Sequence, residues 1–390
     1  MLNAYIYDGL RTPFGRHAGE LASIRPDDLA ALVIQRLIEK TGVPGADIED
    51  VILGDTNQAG EDSRNIARHA ALLAGLPVTV PGQTINRLCA SGLGAVIDSA
   101  RAITCGEGDL YIAGGVESMS RAPFVMGKAE SAFSREAKIY DTTIGTRFPN
   151  KKITAQFGGH SMPETGDNVA VEYDIDRAQA DQFAADSQAK YQQAKQDGFF
   201  TDEITPVEVS QGKKLPPKLI SEDEHPRPSS TVDALSKLKP LFEGGVVAAG
   251  NASGINDGAA ALLIGSEQVG QKYGLKPMAK ILSAAAAGIE PRIMGAGPIE
   301  AIKKAVQRAG LTLDDLDIIE INEAFASQVL SCLKGLDISF DDPRVNPNGG
   351  AIAIGHPLGA SGARLALTVA RELQRRNKRY AVVSLCIGVG

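Results

Sequence analysis

Apolar positions along the chain follow two different periods, and each period predicts a different kind of element. The segments DDLAALVIQRLIEK and GPIEAIKKAVQRAG place apolar residues three and four positions apart, which predicts amphipathic helices. Short apolar runs in IEDVILGD, DLYIAGG, LDIIEINE and RYAVVSL predict buried strands. Because helical patterns alternate with these runs in both halves, we predict α/β units with parallel strands and crossover helices.

The two halves of the chain repeat each other in sequence. The matched positions are Thr41-Gly42-Val43 with Ala309-Gly310-Leu311, Ala90-Ser91-Gly92 with Ala360-Ser361-Gly362, and Arg101 with Arg371. Chance rarely produces several matches in order at a nearly constant offset. We therefore predict two related α/β units that face each other about a pseudo-two-fold axis.

A segment unlike either half separates them. It begins with SMSRAPFVMGKAES, contains the helical pattern RAQADQFAADSQAKYQQAKQ, and becomes proline-rich and charged in GKKLPPKLISEDEHPRPSS. We interpret it as an insertion that covers a site or contacts another subunit. The stretch after it predicts two strand-like segments around a Gly/Asn turn. The predicted domains are an N-terminal half of residues 1–118 with 246–272, a loop domain of 119–245, and a C-terminal half of 273–390.

Composition narrows the class of protein. A chain of 390 residues is long enough for two or three domains with a large shared core. No uninterrupted apolar run approaches the roughly 20 residues of a membrane helix, and the start resembles a strand rather than a signal peptide. Four cysteines without a CxxC pair, and five histidines away from ligand spacing, predict a reduced cytoplasmic protein without a zinc site. The formal charge of -7 disfavours nucleic-acid binding but allows a polyanionic ligand on a local basic patch.

Cys89 is the first candidate for chemistry. It lies in NRLCASGLGAV, between a predicted strand and a helix that the apolar pattern predicts from Val96. The positive end of a helix dipole favours a thiolate, and the small residues after Cys89 let a substrate approach. The alternative is a buried structural thiol. Cys105 and Cys332 are interpreted as structural because both lie on ordinary helical patterns.

His356 and Cys386 are the second and third candidates. His356 lies in GGAIAIGHPLGASGAR, where a neutral imidazole could accept the proton of Cys89; the alternative is a hydrogen-bonded core histidine. The repeat favours the first interpretation, because it places His356 and Cys89 in equivalent turns. Cys386 ends the last predicted strand in SLCIGVG, where a second thiol could transfer protons and backbone N–H groups could bind an oxyanion.

Asn322 and Glu323 follow the strand DIIEI. An asparagine there could hold a water molecule or donate to a carbonyl oxygen. Glu323 either orients its neighbours or caps a helix N-terminus, and the sequence leaves both open.

These motifs together resemble the thiolase family. NRLCASG, GGVESMSRAPF, AGNASGINDGAAAL, NEAFA, NPNGGAIAIGHPLGASGAR and CIGVG occur in the family's order over essentially the whole chain. GEDSRNIARHAALLAGLP, MSRAPFVMGKAES and DTTIG are similar to the degradative branch, the β-ketoadipyl-CoA (3-oxoadipyl-CoA) thiolases in particular. The resemblance implies a thiolase fold: two duplicated mixed-sheet α/β units in a layered α/β/α/β/α arrangement plus an inserted loop domain.

The resemblance also implies a mechanism. Cys89, activated by His356, would attack the 3-oxo group of a 3-oxoacyl-CoA, and Cys386 would protonate the departing acetyl-CoA enolate. Cys386 would then deprotonate free CoA, which takes the acyl group from Cys89. His356, with a water held by Asn322, would form one oxyanion hole. The backbone N–H groups of Cys89 and Gly388 would form the other.

Coenzyme A enters this mechanism as a substrate, and no covalently bound cofactor and no metal are implied. The positions that match family CoA contacts are Arg227, Ala249, Gly250 and Ser253, with Met162 and Met294 near the acyl or pantetheine path. Ser161 stands where biosynthetic members usually carry a histidine, which favours a different acyl pocket. The implied partners are acyl-CoA, CoA and further copies in a homodimer or homotetramer, without nucleic acid or membrane.

The preferred hypothesis is that the substrate is a 3-oxodicarboxylyl-CoA, whose distal carboxylate would need a cation in the pocket. The candidates in the insertion are Arg121, Lys128, Arg135 and Arg147, and solvated surface charge is the alternative for each. A general 3-oxoacyl-CoA or acetoacetyl-CoA thiolase is the second interpretation. Cys386 disfavours a carrier-protein-dependent synthase, and the presence of Cys89, His356 and Cys386 disfavours a non-catalytic CoA-binding protein.

Family members normally continue for one more strand after a motif such as CIGVG. We therefore expect an open flank on the second sheet and a lower melting temperature than for a chain carrying that strand.

Overall fold

The computed structural model describes residues 1–390 and contains thirteen strands and twelve α-helices. The strands are β1 (Ala4–Arg11), β2 (Gly15–Arg16), β3 (Asp50–Gly54), β4 (Gly82–Ile85), β5 (Leu110–Ser118), β6 (Phe124–Met126), β7 (Ile139–Asp141), β8 (Val207–Val209), β9 (Lys218–Ile220), β10 (Asn256–Gly265), β11 (Ala279–Ile281), β12 (Ile318–Ile321) and β13 (Ala381–Ser384). The helices are α1 (Pro26–Thr41), α2 (Ile66–Leu73), α3 (Ser91–Cys105), α4 (Lys151–Phe157), α5 (Met162–Glu172), α6 (Arg177–Gln196), α7 (Val232–Ser236), α8 (Glu267–Tyr273), α9 (Gly297–Arg308), α10 (Ala326–Gly335), α11 (Ala351–Ile354) and α12 (Leu358–Arg375). Short 3-10 helices span Gly45–Asp47, Pro291–Ala296 and Leu313–Asp315.

The first sheet has the strand order β11-β1-β10-β5-β3-β4, with β2 paired to β10. Strands β5, β3 and β4 run parallel, whereas β1 pairs antiparallel with both β10 and β11. The sheet is therefore mixed, as predicted. Strand β4 lies at its edge and leads directly into the turn that carries Cys89.

Side-chain alternation gives this sheet two apolar faces. Val51 and Leu53 of β3 pack with α1 and α2, while Ile52 packs with α3 and α12 on the opposite face. Both faces are therefore buried.

The second half has a smaller sheet, in which β12 and β13 run parallel. It lies against α12 on one side, and β12 shares a core with α9 and α10 on the other. The layers are thus α1/α2, first sheet, α3/α12, second sheet and α9/α10, which confirms the predicted layered fold. Mixed strand directions are found in the first sheet, whereas the second contains only the parallel pair β12 and β13. Strand β11, which follows the first half in the chain, pairs with β1 of the first sheet.

The outer edge of β13 has no partner strand. A groove of about 800 Å3 runs beside it, lined mainly by apolar side chains from 277–287, α3, α9 and α12. Backbone N–H and C=O groups at such an edge have no ladder partners.

Helix α3 begins at Ser91, five residues before the predicted start. Leu88–Cys105 is apolar and long enough to cross a membrane by composition, but half of it is buried within the protein. Helix α3 itself packs on β3 and β5 of the first sheet and on α12.

The inserted segment has two parts. Helix α6 packs on α10 and α11 of the second half. Residues 124–157 instead expose large apolar side chains: Phe124, Met126, Phe133, Ile139, Ile144, Phe148, Ile153 and Phe157. Residues 246–255 form a loop rather than the first of two predicted strands, because the Asn251 side chain binds the N–H of Ala248 and the carboxylate of Asp181.

Candidate active site

The Cys89 turn joins β4 to α3 and is held by one serine. The Ser91 hydroxyl accepts from the N–H of Arg87 at 2.8 Å and donates to the carbonyl of Leu88 at 2.6 Å. Leu88 has a positive φ of 46°, which is uncommon for a bulky residue. Ser91 thus fixes the backbone on the N-terminal side of Cys89.

The His356 turn precedes α12 and is held from the first half. The N–H of His356 donates to Asn256 Oδ1 at 2.8 Å, and Asn256 Nδ2 donates to the carbonyl of Gly15 at 2.9 Å. Gly355 has a φ of 108°, and a side chain at this position would overlap Asn256. The backbone conformation of Gly355 and the hydrogen bond to Asn256 of β10 together fix the position of the His356 backbone, from which the imidazole extends.

The two turns meet because α3 and α12 pack at glycine. A Cβ on Gly92 would lie 2.5 Å from the carbonyl oxygen of Gly359, and a Cβ on Gly362 would overlap the N–H of Leu93. Only glycine allows this approach in either helix. The structure therefore brings the equivalent turns, predicted from the repeat, side by side.

The His356 imidazole is buried and contacts polar side chains at both ring nitrogens. Nδ1 lies 2.6 Å from Ser361 Oγ, and Nε2 lies 3.4 Å from Asn322 Nδ2. The Ser361 hydroxyl also donates to the carbonyl of Pro357 at 2.9 Å. The ring is thus held by its own helix and by the end of β12.

Asn322, Cys386 and Gly388 complete the group. The N–H of Asn322 donates to the carbonyl of Ser384 at 2.9 Å, and its buried Oδ1 has no protein partner and can accept from a ligand. The N–H of Gly388 donates to the thiol of Cys89, and Cys386 is buried close enough to Cys89 for the two thiols to interact electrostatically.

Burial opposes charge on all three titratable groups. It raises the pKa of Cys89 to about 11, although hydrogen bonds from the N–H groups of Gly388 and Cys89 lower it. It lowers the pKa of His356 to about 3, with a smaller effect from the positive charge of Arg364. Burial, and then the nearby Cys89, raise the pKa of Cys386. The prediction that the helix dipole favours a Cys89 thiolate is therefore wrong for the free protein, because desolvation outweighs the backbone N–H groups.

Glu323 both caps a helix N-terminus and orients its neighbours, the two roles that the sequence left open. Its carboxylate accepts from Ser187 Oγ at 2.7 Å, Asn346 Nδ2 at 2.9 Å and the N–H of Ile352 at 3.1 Å. Ile352 lies in the first turn of α11, so Glu323 caps this helix rather than α10, which follows it in the chain. By doing so it orients the segment that leads to His356.

Three of the predicted CoA-contact positions lie in one loop. Ser253 donates its N–H to the carbonyl of Ala324 at 2.9 Å, Gly250 packs closely on Leu235 of α7, and Ala249 is exposed. Arg227, just before α7, is exposed and has no acidic partner. Its guanidinium is therefore free to bind an anion.

The two predicted methionines both lie near residues of the Cys386 segment. Met162 begins α5, and its sulfur is 3.6 Å from the position of a Cβ on Gly388. Met294 is buried in the same apolar cluster as Cys386. Ser161 caps α5 through a capping box with Glu164.

The four candidate cations for a distal carboxylate are not equivalent. Arg121 is occupied by Glu61, with Nη2 at 2.6 Å from Oε1. Lys128 and Arg135 are exposed, Arg147 is half-buried, and none of the three forms an ion pair. Arg121 is thus the poorest candidate of the four.

Sequence reasoning missed three polar residues that build the site. Ser361 and Asn256 hold His356, and Glu117 accepts from the N–H of Gly359 at 2.9 Å at the start of α12. Ser361 was noticed only as part of the repeat. A carboxylate at the end of the apolar run of β5 was the available signal for Glu117, because a charge at such a position must find partners.

Comparison with known proteins gives matches over the full length. The family models for the thiolase N-terminal and C-terminal domains match residues 4–268 and 275–390. A 3-oxoadipyl-CoA/3-oxo-5,6-dehydrosuberyl-CoA thiolase of Escherichia coli K12 is 57% identical over 392 residues, covering 100% of this chain and 98% of that protein. A beta-ketoadipyl-CoA thiolase of Acinetobacter baylyi is 56% identical with the same coverage. The crystal structure of human mitochondrial 3-ketoacyl-CoA thiolase matches with a TM-score of 0.92 and 38% identity, covering 100% of this chain and 96% of that one.

Two facing α/β units, with a cysteine turn and a histidine turn at their junction, define an acyl-transferring enzyme. The chain belongs to the thiolase family, and its fold is the thiolase fold.

Proposed function

We propose that this thiolase cleaves 3-oxoadipyl-CoA with CoA, giving acetyl-CoA and succinyl-CoA through an acyl-Cys89 intermediate. The observation that carries the proposal is the convergence of two thiols, one imidazole and one unpartnered amide oxygen at the junction of α3 and α12. The names of the Escherichia coli and Acinetobacter relatives support the substrate.

In the first step Cys89 adds to the 3-oxo carbonyl of the substrate. Its proton moves to Nε2 of His356 as Sγ attacks the carbon, so the S–H bond and the C=O π bond break, N–H and S–C bonds form, and the carbonyl electrons move to the oxygen. Burial disfavours each charge alone, but a thiolate and an imidazolium formed together attract each other in the same low-dielectric surroundings. The neutral resting pair therefore ionises during attack rather than before it.

In the second step the adduct oxygen re-forms its C=O double bond as the carbon–carbon bond between C2 and C3 breaks, which leaves Cys89 acylated. The electrons of the broken carbon–carbon bond form the acetyl-CoA enolate, and the Cys386 thiol protonates the carbon. The enolate oxygen is bound by the imidazolium N–H of His356 and a water held by Asn322. The N–H groups of Cys89 and Gly388 bind the oxygen on the Cys89 adduct.

In the third step the acyl group leaves Cys89. The Cys386 thiolate takes the proton of a second CoA thiol, whose sulfur attacks the thioester carbon. The Cys89 sulfur departs and recovers its proton from His356, which restores the neutral pair. Both thiols therefore end the cycle protonated, as their raised pKa values favour.

Coenzyme A is bound on the side of the loop 247–255. Arg227 carries the unpaired positive charge that a phosphate needs, and Ala249, Gly250 and Ser253 supply a surface with little side-chain bulk. Met162 and Met294 flank the path of the pantetheine or acyl chain. These assignments rest on family position together with the exposure and contacts of the loop.

The distal carboxylate of the substrate distinguishes the proposed activity from that of a general thiolase. Lys128, Arg135 and Arg147 have no acidic partner and remain available, whereas Arg121 is paired with Glu61. The attraction between such a cation and a bound carboxylate becomes stronger as water is excluded from the pocket.

The test compares CoA-dependent cleavage of 3-oxoadipyl-CoA and acetoacetyl-CoA, with Cys89→Ala as the inactive control. A higher kcat/KM for 3-oxoadipyl-CoA supports the proposal. Preference for acetoacetyl-CoA makes the protein a general or short-chain thiolase and removes the proposed substrate.

We further propose a cytoplasmic homodimer or homotetramer whose contacts include residues 124–157. The large apolar side chains exposed in this segment favour association. Phe133, fully exposed, is replaced by serine and the mass measured by light scattering, with Leu215→Ser as an exposed apolar control. An unchanged mass for Phe133→Ser contradicts this assignment of the segment.

A further inference from the structure

Ser361 contacts two groups that compete for one proton. Its Oγ lies 2.9 Å from the carbonyl oxygen of Pro357 and 2.6 Å from Nδ1 of His356. Ser361 is completely buried, so no bulk water relieves a mismatch. The position of the single hydroxyl proton therefore decides which ring nitrogen of His356 is protonated.

Two arrangements exist, and the distances distinguish them. If the hydroxyl donated to Nδ1, the oxygens of Ser361 and Pro357 would face each other at 2.9 Å without a proton between them, which is repulsive. If it donates to Pro357, then Nδ1–H donates to Ser361. The lone pair of Nε2 then faces the Asn322 amide, and every close polar contact contains one proton.

We propose that Ser361 is a positioning residue that holds neutral His356 in the Nδ1–H tautomer, so that Nε2 carries a lone pair, in long contact with the Asn322 amide, that can take the proton of Cys89. This inference rests on the proposed function in that it assumes His356 to be the base. It adds the reason why the basic nitrogen is the one that faces the site. A neutral imidazole with the other tautomer would present an N–H there and could not act as the base.

Ser91, the repeat equivalent of Ser361, shows that the role is particular to the second half. Its hydroxyl makes the same two kinds of bond, donating to one carbonyl and accepting from one N–H. Its donor, however, is the backbone N–H of Arg87 rather than a side chain. The serine in the first half therefore holds a backbone, and the serine in the second half selects a tautomer.

The test measures the tautomer and the kinetics in the same variants. Histidine labelled with 15N gives few signals, since the chain has five histidines, and His356→Asn identifies the one of interest. The variants are Ser361→Ala, Ser361→Thr and the matched control Ser331→Ala. Ser331 is also buried and also donates to the carbonyl four residues earlier, at 2.7 Å, but lies away from the histidine.

We expect the wild type and Ser331→Ala to carry the neutral proton on Nδ1, and Ser361→Ala to carry it largely on Nε2. We expect kcat to fall about 100-fold in Ser361→Ala, the range of lost acid–base catalysis, with KM little changed. Ser361→Thr, which keeps the hydroxyl, restores both. Nε2–H in the wild type, or a loss of kcat in Ser361→Ala without a change of tautomer, overturns the proposal.

Failure of the base assignment gives a separate result. If His356→Asn keeps full thiolysis, the imidazole is not the base and the proposed mechanism fails, whichever tautomer the wild type shows. If His356→Asn is inactive and Ser361→Ala keeps both activity and tautomer, only the inference about Ser361 fails.

Discussion

The Cys89 turn and the His356 turn occupy equivalent places in the two halves, yet they are fixed by different means. Both are followed by Ala-Ser-Gly, and both glycines, Gly92 and Gly362, press against the backbone of the opposite helix. The first turn is held by local hydrogen bonds to Ser91. The second also depends on Asn256, which lies 100 residues away in the other half. The two halves thus share the same packing of α3 against α12. They differ in the group that contacts the serine, which is a backbone N–H at Ser91 and the His356 ring at Ser361.

The two turns also differ in which charge burial opposes. The Cys89 thiol keeps its proton because its pKa is raised, and the His356 ring stays unprotonated because its pKa is lowered. Because desolvation opposes charge on both groups, the thiol keeps its proton and the imidazole stays neutral. The resting site therefore holds a neutral thiol and a neutral imidazole, and in the proposed mechanism charge separates during attack on the substrate.

The largest effect is expected from removing the base in the second turn. We expect His356→Ala to lower kcat about 1,000-fold or more, because the thiol of Cys89 then has no internal acceptor for its proton. The measurement is release of acetyl-CoA from 3-oxoadipyl-CoA. His69→Ala, an exposed histidine on α2, is the control, and a similar loss there would show that the assay reports something other than the base.

The close packing of α3 against α12 is tested by adding one methyl group to each helix. We expect Gly92→Ala and Gly362→Ala to destabilise the fold by similar amounts, about 3 kcal/mol, because both new Cβ atoms meet backbone that cannot rotate away. Urea unfolding measures the change. Gly288→Ala is the control, since nothing lies within 4 Å of its Cβ position. A large cost in only one of the two glycines would show that the helices do not interlock symmetrically.

The sequence predicted the frame better than the site. Periodicity found α1, α6 and α9 and the strands around them, and the repeat placed Cys89 and His356 in equivalent turns. The early start of α3 was missed because Ala90-Ser91-Gly92 carries no apolar period. The pairing of β11 with β1, and the bond from Asn256 to His356, join distant parts of the chain that no local pattern links. The direction of the Cys89 pKa was missed because burial is a property of the folded protein.

The lowered pKa of His356 makes the stability of the protein depend on pH. The folded pKa of His356, about 3, lies below the ordinary histidine pKa of 6.5, so below pH 6.5 the unfolded chain binds a proton that the native protein does not. Stability from this residue is therefore present above pH 6.5 and is lost as pH falls. We expect a loss of about 2 kcal/mol between pH 7 and pH 5. Urea unfolding of wild type and His356→Asn at both values isolates it, and equal losses in the two proteins would contradict a buried neutral imidazole.

The smallest expected change in stability comes from Ser91→Ala, which distinguishes the role of Ser91 from that of Ser361. We expect Ser91→Ala to lower stability by about 1 kcal/mol, because the N–H of Arg87 and the carbonyl of Leu88 each lose a partner. The His356 tautomer stays on Nδ1, since no bond to the ring changes, and kcat falls less than in Ser361→Ala. Urea unfolding and the 15N-histidine spectrum give both quantities. If Ser91→Ala moved the tautomer as Ser361→Ala does, the two turns would act as one coupled unit, and the division between a serine that holds backbone and one that selects a tautomer would be wrong.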